Sequence, residues 1–157
     1  CRAWCETPTR RATRREMTIF DTDALSEILR GNDPIVRRAS LIPPSEQAIC
    51  VVTAEEMVRG RLQAIREAQG RRDAAGLVLA YERFADTVEA FQRVCVVRHS
   101  EAAEAQAAAW RAARIRVAPN DLRIAAIAHV SEATLVTCNR RHFELIPGLR
   151  VEFWNPA

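Results

Sequence analysis

The feature that most constrains the fold is the alternation of short apolar runs with longer helical patterns. Runs of strand length occupy residues 17–20, 48–52, 94–97, 133–137 and 149–154. Between them, apolar residues recur every three to four positions, which is typical of helices. Strands separated by helices favour parallel pairing. The sequence therefore predicts an α/β fold, a three-layer α/β/α arrangement with a mostly parallel central sheet of four to five short strands.

The helical patterns cover six long segments and one short turn. We expect helices at residues 23–30, 33–42, 53–70, 74–91, 100–115 and 119–130, and one helical turn at 140–145. Thr53 and Glu56 match a capping box at the start of the third helix. In the fourth, the spacing predicts a buried face through Leu77, Tyr81, Phe84 and Val88. We interpret these two helices as an antiparallel pair.

The basic surplus of the chain lies in its first 16 residues. The net charge is +3, yet residues 1–16 hold five Arg and two Glu, which leaves 18 Arg and 18 acids from Met17 onward. Met17 directly precedes the first strand. We therefore interpret residues 1–16 as a non-native or disordered basic leader, and residues 17–157 as a single domain. A folded, functional extension is the alternative, and a transit peptide is a weaker third interpretation.

Composition excludes several chemistries. All 23 basic residues are Arg, so a P-loop, a Schiff-base lysine and a lysine-dependent phosphoryl site are absent from this sequence. The five Cys do not pair into a disulfide framework, and we expect them to be reduced. Cys50 and Cys95 fall in apolar runs and are predicted to be core residues. No run approaches the length of a membrane span, so a cytoplasmic protein is expected.

Polar residues follow several of the predicted strands. Asp21 follows the first strand, Glu55 and Glu56 the second, and Asn139 the fourth, while Asp121 lies early in the helix before the fourth strand. Ligands of parallel sheets bind at the carboxyl ends of the strands. A group of carboxylates with an amide offers hard oxygen ligands, which suit Mg²⁺ or Mn²⁺ better than zinc.

Each of these residues also has an ordinary structural explanation. Asp21 or Asp23 is suited to cap the first helix, and Asp121 to cap the helix that it begins. Glu56 completes the capping box of Thr53. Asn139 is a common turn residue. Acids are favoured at helix N-termini in general, so the residues taken singly leave capping and metal binding both open.

Taken together, four segments resemble the signature blocks of PIN-domain ribonucleases, and most closely the VapC-type toxins of bacterial toxin–antitoxin pairs. The segments are "IFDTDAL", "TAEEMVRG", "APNDLRIAAIA" and "TLVTCNRRHFELIPGLRVEFW". The resemblance runs from Met17 to about Trp154, with the blocks in the family's order and spacing. "DTD" alone is weak, whereas "PNDLRIAAIAHVSEATLVT" followed by "N-x-x-H-F" and "IPGL" is specific.

The resemblance implies a set of catalytic, metal-binding residues. They are Asp21, Glu56, Asp121 and Asn139. Glu56 is preferred over Glu55 because it directly precedes Met57 and lies four residues before Gly60, as the motif requires. Asp23 and Thr137 are expected to support the site. His142 is a weaker candidate for substrate contact.

What the resemblance implies for function is RNA cleavage by a metal-activated water, with Mg²⁺ or Mn²⁺ as cofactor. The domain is neutral overall, so cations that bind RNA must be local. Our candidates, which flank the motif blocks, are Arg59, Arg61, Arg140 and Arg141. They are equally explained as solvated charges.

In the VapC-type family that this chain resembles, each toxin is paired with a small antitoxin. The resemblance therefore implies a cognate antitoxin, and a homodimer is a further expectation, with the helical pair at residues 53–93 offering apolar surface. Two alternatives remain: a PIN fold that only binds partners, and a haloacid-dehalogenase-like phosphatase, which "DTD" also resembles. The latter needs a later paired-acid motif and a Lys or Arg clamp, yet "PNDL" has one acid and the chain has no Lys.

Overall fold

The computed structural model describes residues 17–155, and the proposed leader at 1–16 lies outside the described residues. Five strands form one sheet: β1 (Thr18–Phe20), β2 (Gln47–Cys50), β3 (Cys95–Val97), β4 (Thr134–Thr137) and β5 (Val151–Phe153). Their order is β3-β2-β1-β4-β5, and each neighbouring pair is parallel. The predicted α/β class with a parallel sheet is confirmed.

Within the part of the chain that the structure describes, seven α-helices connect the strands. In chain order they are α1 (Thr22–Leu29), α2 (Asp33–Ala39), α3 (Val51–Arg71), α4 (Ala74–Arg93), α5 (Glu101–Ala112), α6 (Pro119–Val130) and α7 (Arg140–Phe143), with a 3-10 turn at Pro44–Glu46. In residues 17–155, no helix combines the length and apolar content needed to cross a bilayer.

Alternate strand residues separate two hydrophobic clusters. Ile19 and Leu135 pack with α5 and α6, whereas Phe20 and Val136 pack with α1, α2 and Trp154. Successive side chains of a strand point to opposite faces of a sheet. The clusters therefore lie on opposite faces, which confirms the three-layer arrangement.

The second strand is shorter than predicted, and the predicted capping box is wrong. β2 ends at Cys50, which is the N-cap of α3, with its Sγ accepting from the Thr53 amide at 3.4 Å. Val51 and Val52 therefore begin the helix rather than end the strand. Thr53 is fully buried in the first turn, and the Glu56 side chain is free to point elsewhere.

Two burial predictions are also wrong. Cys95 is exposed rather than part of the core, because β3 is an edge strand. On α4, the buried residues are Ala80 and Thr87, while Tyr81 and Val88 are 51% and 40% exposed. Leu77 and Phe84 are half-buried, so the predicted face is wrong at Tyr81 and Val88 only.

Candidate metal-dependent nuclease site

The first helix begins at a buried carboxylate. Asp21 follows β1, is 3% exposed and is the N-cap of α1, with its Oδ1 accepting from the Ala24 amide at 2.7 Å. The predicted helix-cap role is confirmed for Asp21, whereas Asp23 lies inside the first turn of α1. Capping uses one carboxylate oxygen and still leaves Asp21 facing the pocket described next.

Residues from all four motif segments line one small pocket of about 210 Å³. It lies where β1, β2 and β4 end, at the carboxyl edge of the sheet. Its polar lining includes the four predicted site residues together with Asp23 and two residues not assigned to the metal set. The lining side chains are Asp21, Thr22, Asp23, Glu56, Asp121, Asn139 and His142, with Ile124 and Phe143.

Neutral donors hold the carboxylate of Glu56. Thr22 Oγ1 donates to Glu56 Oε2, and Asn120 Nδ2 donates to Glu56 Oε1 at 2.8 Å. These contacts join the starts of α1, α3 and α6. Sequence reasoning missed Thr22 and Asn120; the only signal was that each is a polar residue directly beside a motif acid.

Asp121 lies in the first turn of α6, two residues after its first residue, Pro119, so its predicted capping role is wrong. Its Oδ2 lies 2.8 Å from Nδ1 of His142, on α7. Asn139 Nδ2 in turn lies 3.2 Å from the same ring nitrogen. His142 therefore joins the third and fourth motif segments, a larger role than the substrate contact considered from sequence.

Thr137 supports the site from within the sheet. It is fully buried at the end of β4, and its Oγ1 accepts from the Asn139 amide at 2.9 Å. Thr137 also hydrogen-bonds the Asp21 carboxyl group. It thereby connects the chain turn that presents Asn139 with the buried acid of β1.

The pocket is strongly anionic, and this perturbs its acids. Burial raises the pKa of Asp21 to about 7, opposed by the Ala24 and Thr137 hydrogen bonds and reinforced by Asp23 and Asp121. Burial also raises the pKa of Asp121, while His142 lowers it and Glu56 raises it. Carboxylates confined together repel one another, and a cation among them would relieve this repulsion.

The donor set fits a hard divalent cation, although the side chains are not arranged as a finished cage. In the described part of the chain, residues 17–155, no group of three or more His, Cys, Asp or Glu side chains is positioned to hold a metal ion. Hydrogen bonds to Thr22, Asn120 and His142 occupy oxygens of Glu56 and Asp121. Three carboxylates and an amide oxygen nevertheless match the ligand preference of Mg²⁺ or Mn²⁺.

The four arginine candidates lie in different places. Arg59 is the one beside the pocket, 3.9 Å from Glu56 Oε1 and 3.5 Å from Glu55. Arg140 stacks over the Phe153 ring at 4.3 Å, and Arg141 is exposed. The structure does not bring Arg61 to the pocket, because its Nε donates to Thr87 Oγ1 of α4 at 3.0 Å.

Comparison with solved structures gives matches over nearly the whole domain. A chain of the DNA-bound VapBC from Salmonella typhimurium is 26% identical, with a TM-score of 0.69 over 88% of this chain and 98% of that one. A chain of VapBC2 from Rickettsia felis, bound to a promoter DNA fragment, is 19% identical, with a TM-score of 0.72 over 88% and 99%. FitAcB from Neisseria gonorrhoeae is 22% identical, with a TM-score of 0.67 over 89% and 98%.

The sequence comparison agrees with the fold. No curated protein matches the chain, but the PIN domain family model matches residues 18–149. This range contains all four motif residues. It confirms the PIN resemblance expected from the sequence and does not favour the haloacid-dehalogenase alternative. The chain belongs to the PIN domain family.

Proposed function

We propose that this protein is a Mg²⁺- or Mn²⁺-dependent endoribonuclease, the toxin of a toxin–antitoxin pair. One observation carries the proposal: Asp21, Glu56, Asp121 and Asn139, from four separate segments, line the same pocket at the carboxyl edge of the sheet. Capping alone would not require this convergence, and only Asp21 caps a helix with its side chain.

These four residues are the proposed ligands, each through side-chain oxygen. A bound Mg²⁺ or Mn²⁺ supplies a water of lowered pKa and polarises the scissile phosphate. Thr22 and Asn120 orient Glu56, and His142 orients Asp121. Thr137 positions Asn139, and Asp23 adds negative charge at the pocket mouth.

The proposed substrate is RNA, which the protein meets in the cytoplasm. Arg59, Arg140 and Arg141 flank the pocket in sequence and are the proposed contacts to phosphates near the cleaved bond. Since an anionic pocket repels the RNA backbone, cations at its rim are needed to hold the strand there.

The proposed partner is a cognate antitoxin, because the matched chains come from VapBC and FitAcB complexes. A homodimer is proposed as well. The α3–α4 pair offers apolar surface for association, in a groove of about 480 Å³ that includes Val51, Val58, Leu62 and Phe91.

Cleavage of structured RNA by the purified protein tests the enzymatic proposal. With Mg²⁺ or Mn²⁺ the native protein should cleave, and Asp121→Asn should reduce the rate by more than about 100-fold, since groups that only orient metal ligands account for about 10–100-fold. Asp33→Asn is the matched control, because Asp33 is exposed and pairs with Arg37 on α2. Equal cleavage by native protein and Asp121→Asn would refute the assignment.

Expression in bacteria tests the toxin role separately. Growth should stop on expression of the native protein and continue with Asp21→Asn. Arrest by both proteins would mean that toxicity does not depend on the pocket. A protein that binds an antitoxin but cleaves no RNA with either metal would instead be the inert binding module.

A further inference from the structure

A second cavity, rich in arginine, lies where α1, α3 and α4 meet. Its volume is about 400 Å³, and its charged lining is Arg30, Arg61 and Arg83 with the acids Glu82 and Asp86. Arg61 and Arg83 also line an adjoining cavity of about 230 Å³ between α3 and α4. The acidic pocket shares no residue with either cavity.

The guanidinium group of Arg61 interacts unfavourably with those of Arg83 and Arg30. Burial, and then the charges of Arg83 and Arg30, lower the pKa of Arg61, and Asp86 only partly opposes this. The Nε of Arg61 is fixed by Thr87, so this guanidinium is held near its like-charged neighbours. An anion in the cavity would offset the repulsion.

Two of the three arginines of the cavity form no ion pair with a residue of the described range. Arg30 pairs with Glu27 on its own helix. Arg83 forms no ion pair with any residue in the described range 17–155, although Glu82 and Asp86 line the same cavity. With Glu27 counted, three arginines face three acids, so the guanidinium groups of Arg61 and Arg83, which no carboxylate engages in the described range, are the donors that remain for a phosphate. The planar, multi-donor guanidinium group is well matched to phosphate oxygens.

The arginine cavity lies along the same two helices as the acidic pocket. The pocket takes Thr22 and Asp23 from the start of α1 and Glu56 from α3, whereas the cavity takes Arg30 from the end of α1 and Arg61 from α3. The Ser26 hydroxyl, 3.4 Å from the sulfur of Met57, joins α1 and α3 between the two sites.

Their separation suits one nucleic-acid strand. Along the helix axes, the rise is about 7 Å over the five residue steps of α3 from Glu56 to Arg61 and about 10 Å over the seven steps of α1 from Asp23 to Arg30. At about 3.4 Å per stacked nucleotide, this is two to three nucleotides. A strand with its scissile bond at the acidic pocket can therefore place a neighbouring phosphate at the arginines.

We propose that Arg30, Arg61 and Arg83 form a phosphate-binding site for the backbone of single-stranded RNA, two to three nucleotides from the cleaved bond. The inference rests on the proposed ribonuclease function, and it assigns Arg61 a substrate contact away from the metal site. Phosphate contacts of this kind position a strand and carry no sequence information themselves.

RNA binding measured without cleavage tests the site. The full chain carrying Asp121→Asn binds a short fluorescein-labelled single-stranded RNA, and anisotropy gives Kd over a series of KCl concentrations. Adding Arg83→Gln or Arg30→Gln should raise Kd several-fold and reduce the slope of log K against log [salt] by about 0.7 for each lost contact. Both side chains are exposed, so folding should be retained.

Arg111→Gln is the matched control, because it removes one exposed arginine from α5, on the other face of the sheet. It should change neither Kd nor slope. Unchanged slopes in Arg30→Gln and Arg83→Gln, or an RNA affinity of the parent too weak to measure at low salt, would overturn the phosphate site. A third outcome would also overturn it: if Arg30→Gln and Arg83→Gln bind inorganic phosphate less tightly than the parent but bind RNA equally well, the arginines form a site for free anions.

In cleavage-competent protein, the same variants should raise KM for RNA and leave kcat nearly unchanged. This separates the two proposals. If Arg30→Gln and Arg83→Gln leave the salt slope unchanged while the native protein cleaves RNA, only the arginine site is refuted. If the variants change the slope as expected but the native protein shows no metal-dependent cleavage, only the nuclease assignment is refuted.

Discussion

At the scale of single residues, Asp21 and Asn139 each line the pocket and also form a hydrogen bond that holds the local fold. Asp21 caps α1 and faces the pocket with the same carboxyl group. Asn139 lines the pocket while its backbone amide donates to Thr137. Because each carries a structural bond, substitutions here change stability as well as activity, and tests need variants that separate the two.

Substitution of Thr22 tests whether its hydroxyl positions the carboxylate of Glu56. Thr22→Val removes the donor to Glu56 Oε2 but keeps the shape of the side chain. We expect the cleavage rate to fall about 10-fold or more, as for groups that orient metal ligands. Thr22→Ser, which keeps the hydroxyl, should restore most of the rate in the same assay. Equal rates for the Val and Ser variants would contradict a positioning role.

The raised pKa of Asp21 predicts that the metal-free protein loses stability as pH rises. Its pKa is about 7 in the folded state against an ordinary 3.8, so the folded state binds a proton that the unfolded state releases. The resulting stabilisation is fully present below about pH 3.8 and is lost as pH rises through about 7. The difference corresponds to about 4 kcal/mol.

Thermal unfolding in a chelator checks this. Tm should fall between about pH 5 and about pH 8, and Asp21→Asn should flatten the dependence while Asp33→Asn preserves it. Mg²⁺ should raise Tm mainly at the higher pH, where the acids are charged. A native Tm that rises over this range would be evidence against the assignment of the shift to Asp21.

At the scale of elements, the sequence predicted which segments are helices and strands better than where they begin. The Cys50 cap illustrates the difference. Apolar residues 48–52 have the composition of a strand throughout, so periodicity cannot show that the helix starts at Val51. A thiol acting as N-cap has no sequence signal comparable with Ser, Thr, Asp or Asn. Ser100, whose hydroxyl caps α5, shows the contrast.

The packing of α4 could not be predicted from apolar spacing for a related reason. The large residues Tyr81 and Val88 suggested the buried face, yet the buried positions are Ala80 and Thr87. Which face is buried depends on the approach of α3, on which Ile65 and Ala68 are buried. The four pocket residues were predictable because each follows a strand end or lies in a motif segment. The roles of Thr22 and Asn120 could not be predicted, because their hydrogen bonds to Glu56 depend on how the helices pack.

Close packing of α4 predicts that a larger residue at its buried face is not tolerated. Ala80→Leu should lower the free energy of unfolding by about 1–3 kcal/mol, since added volume displaces well-packed neighbours. Ala85→Leu, at an exposed position of the same helix, should change it by less than about 0.5 kcal/mol. Urea unfolding measures both, and similar values for the two variants would mean that α4 is not packed through Ala80.

At the scale of the whole molecule, the residue that follows the last strand closes one of the two hydrophobic clusters. Trp154, 2% exposed, packs edge-to-face on Phe20 with ring centroids 5.7 Å apart, and the Arg38 guanidinium lies 4.7 Å from the Trp154 ring centroid. The final described residues of the chain thus complete the core around its first strand.

Trp154→Ala should therefore destabilise the whole domain. We expect a loss of about 3–5 kcal/mol, the usual cost of removing a buried large aromatic side chain. Leu145→Ala, at a position that is 59% exposed, should change the free energy of unfolding by no more than about 0.5 kcal/mol. Denaturant unfolding of both variants provides the measurement, and equal midpoints would show that Trp154 contributes little to the core.

The parallel order of the strands has a consequence for synthesis. β1 pairs with β4, so Thr18 meets Thr134, and the pocket combines Asp21 with Asn139. A ribosome extends a chain by about 5–20 residues per second, so the second half of the pocket emerges on the order of ten seconds after the first. A chain that lacks Asn139 cannot assemble the pocket, so the proposed cleavage cannot begin before residue 139 has left the ribosome.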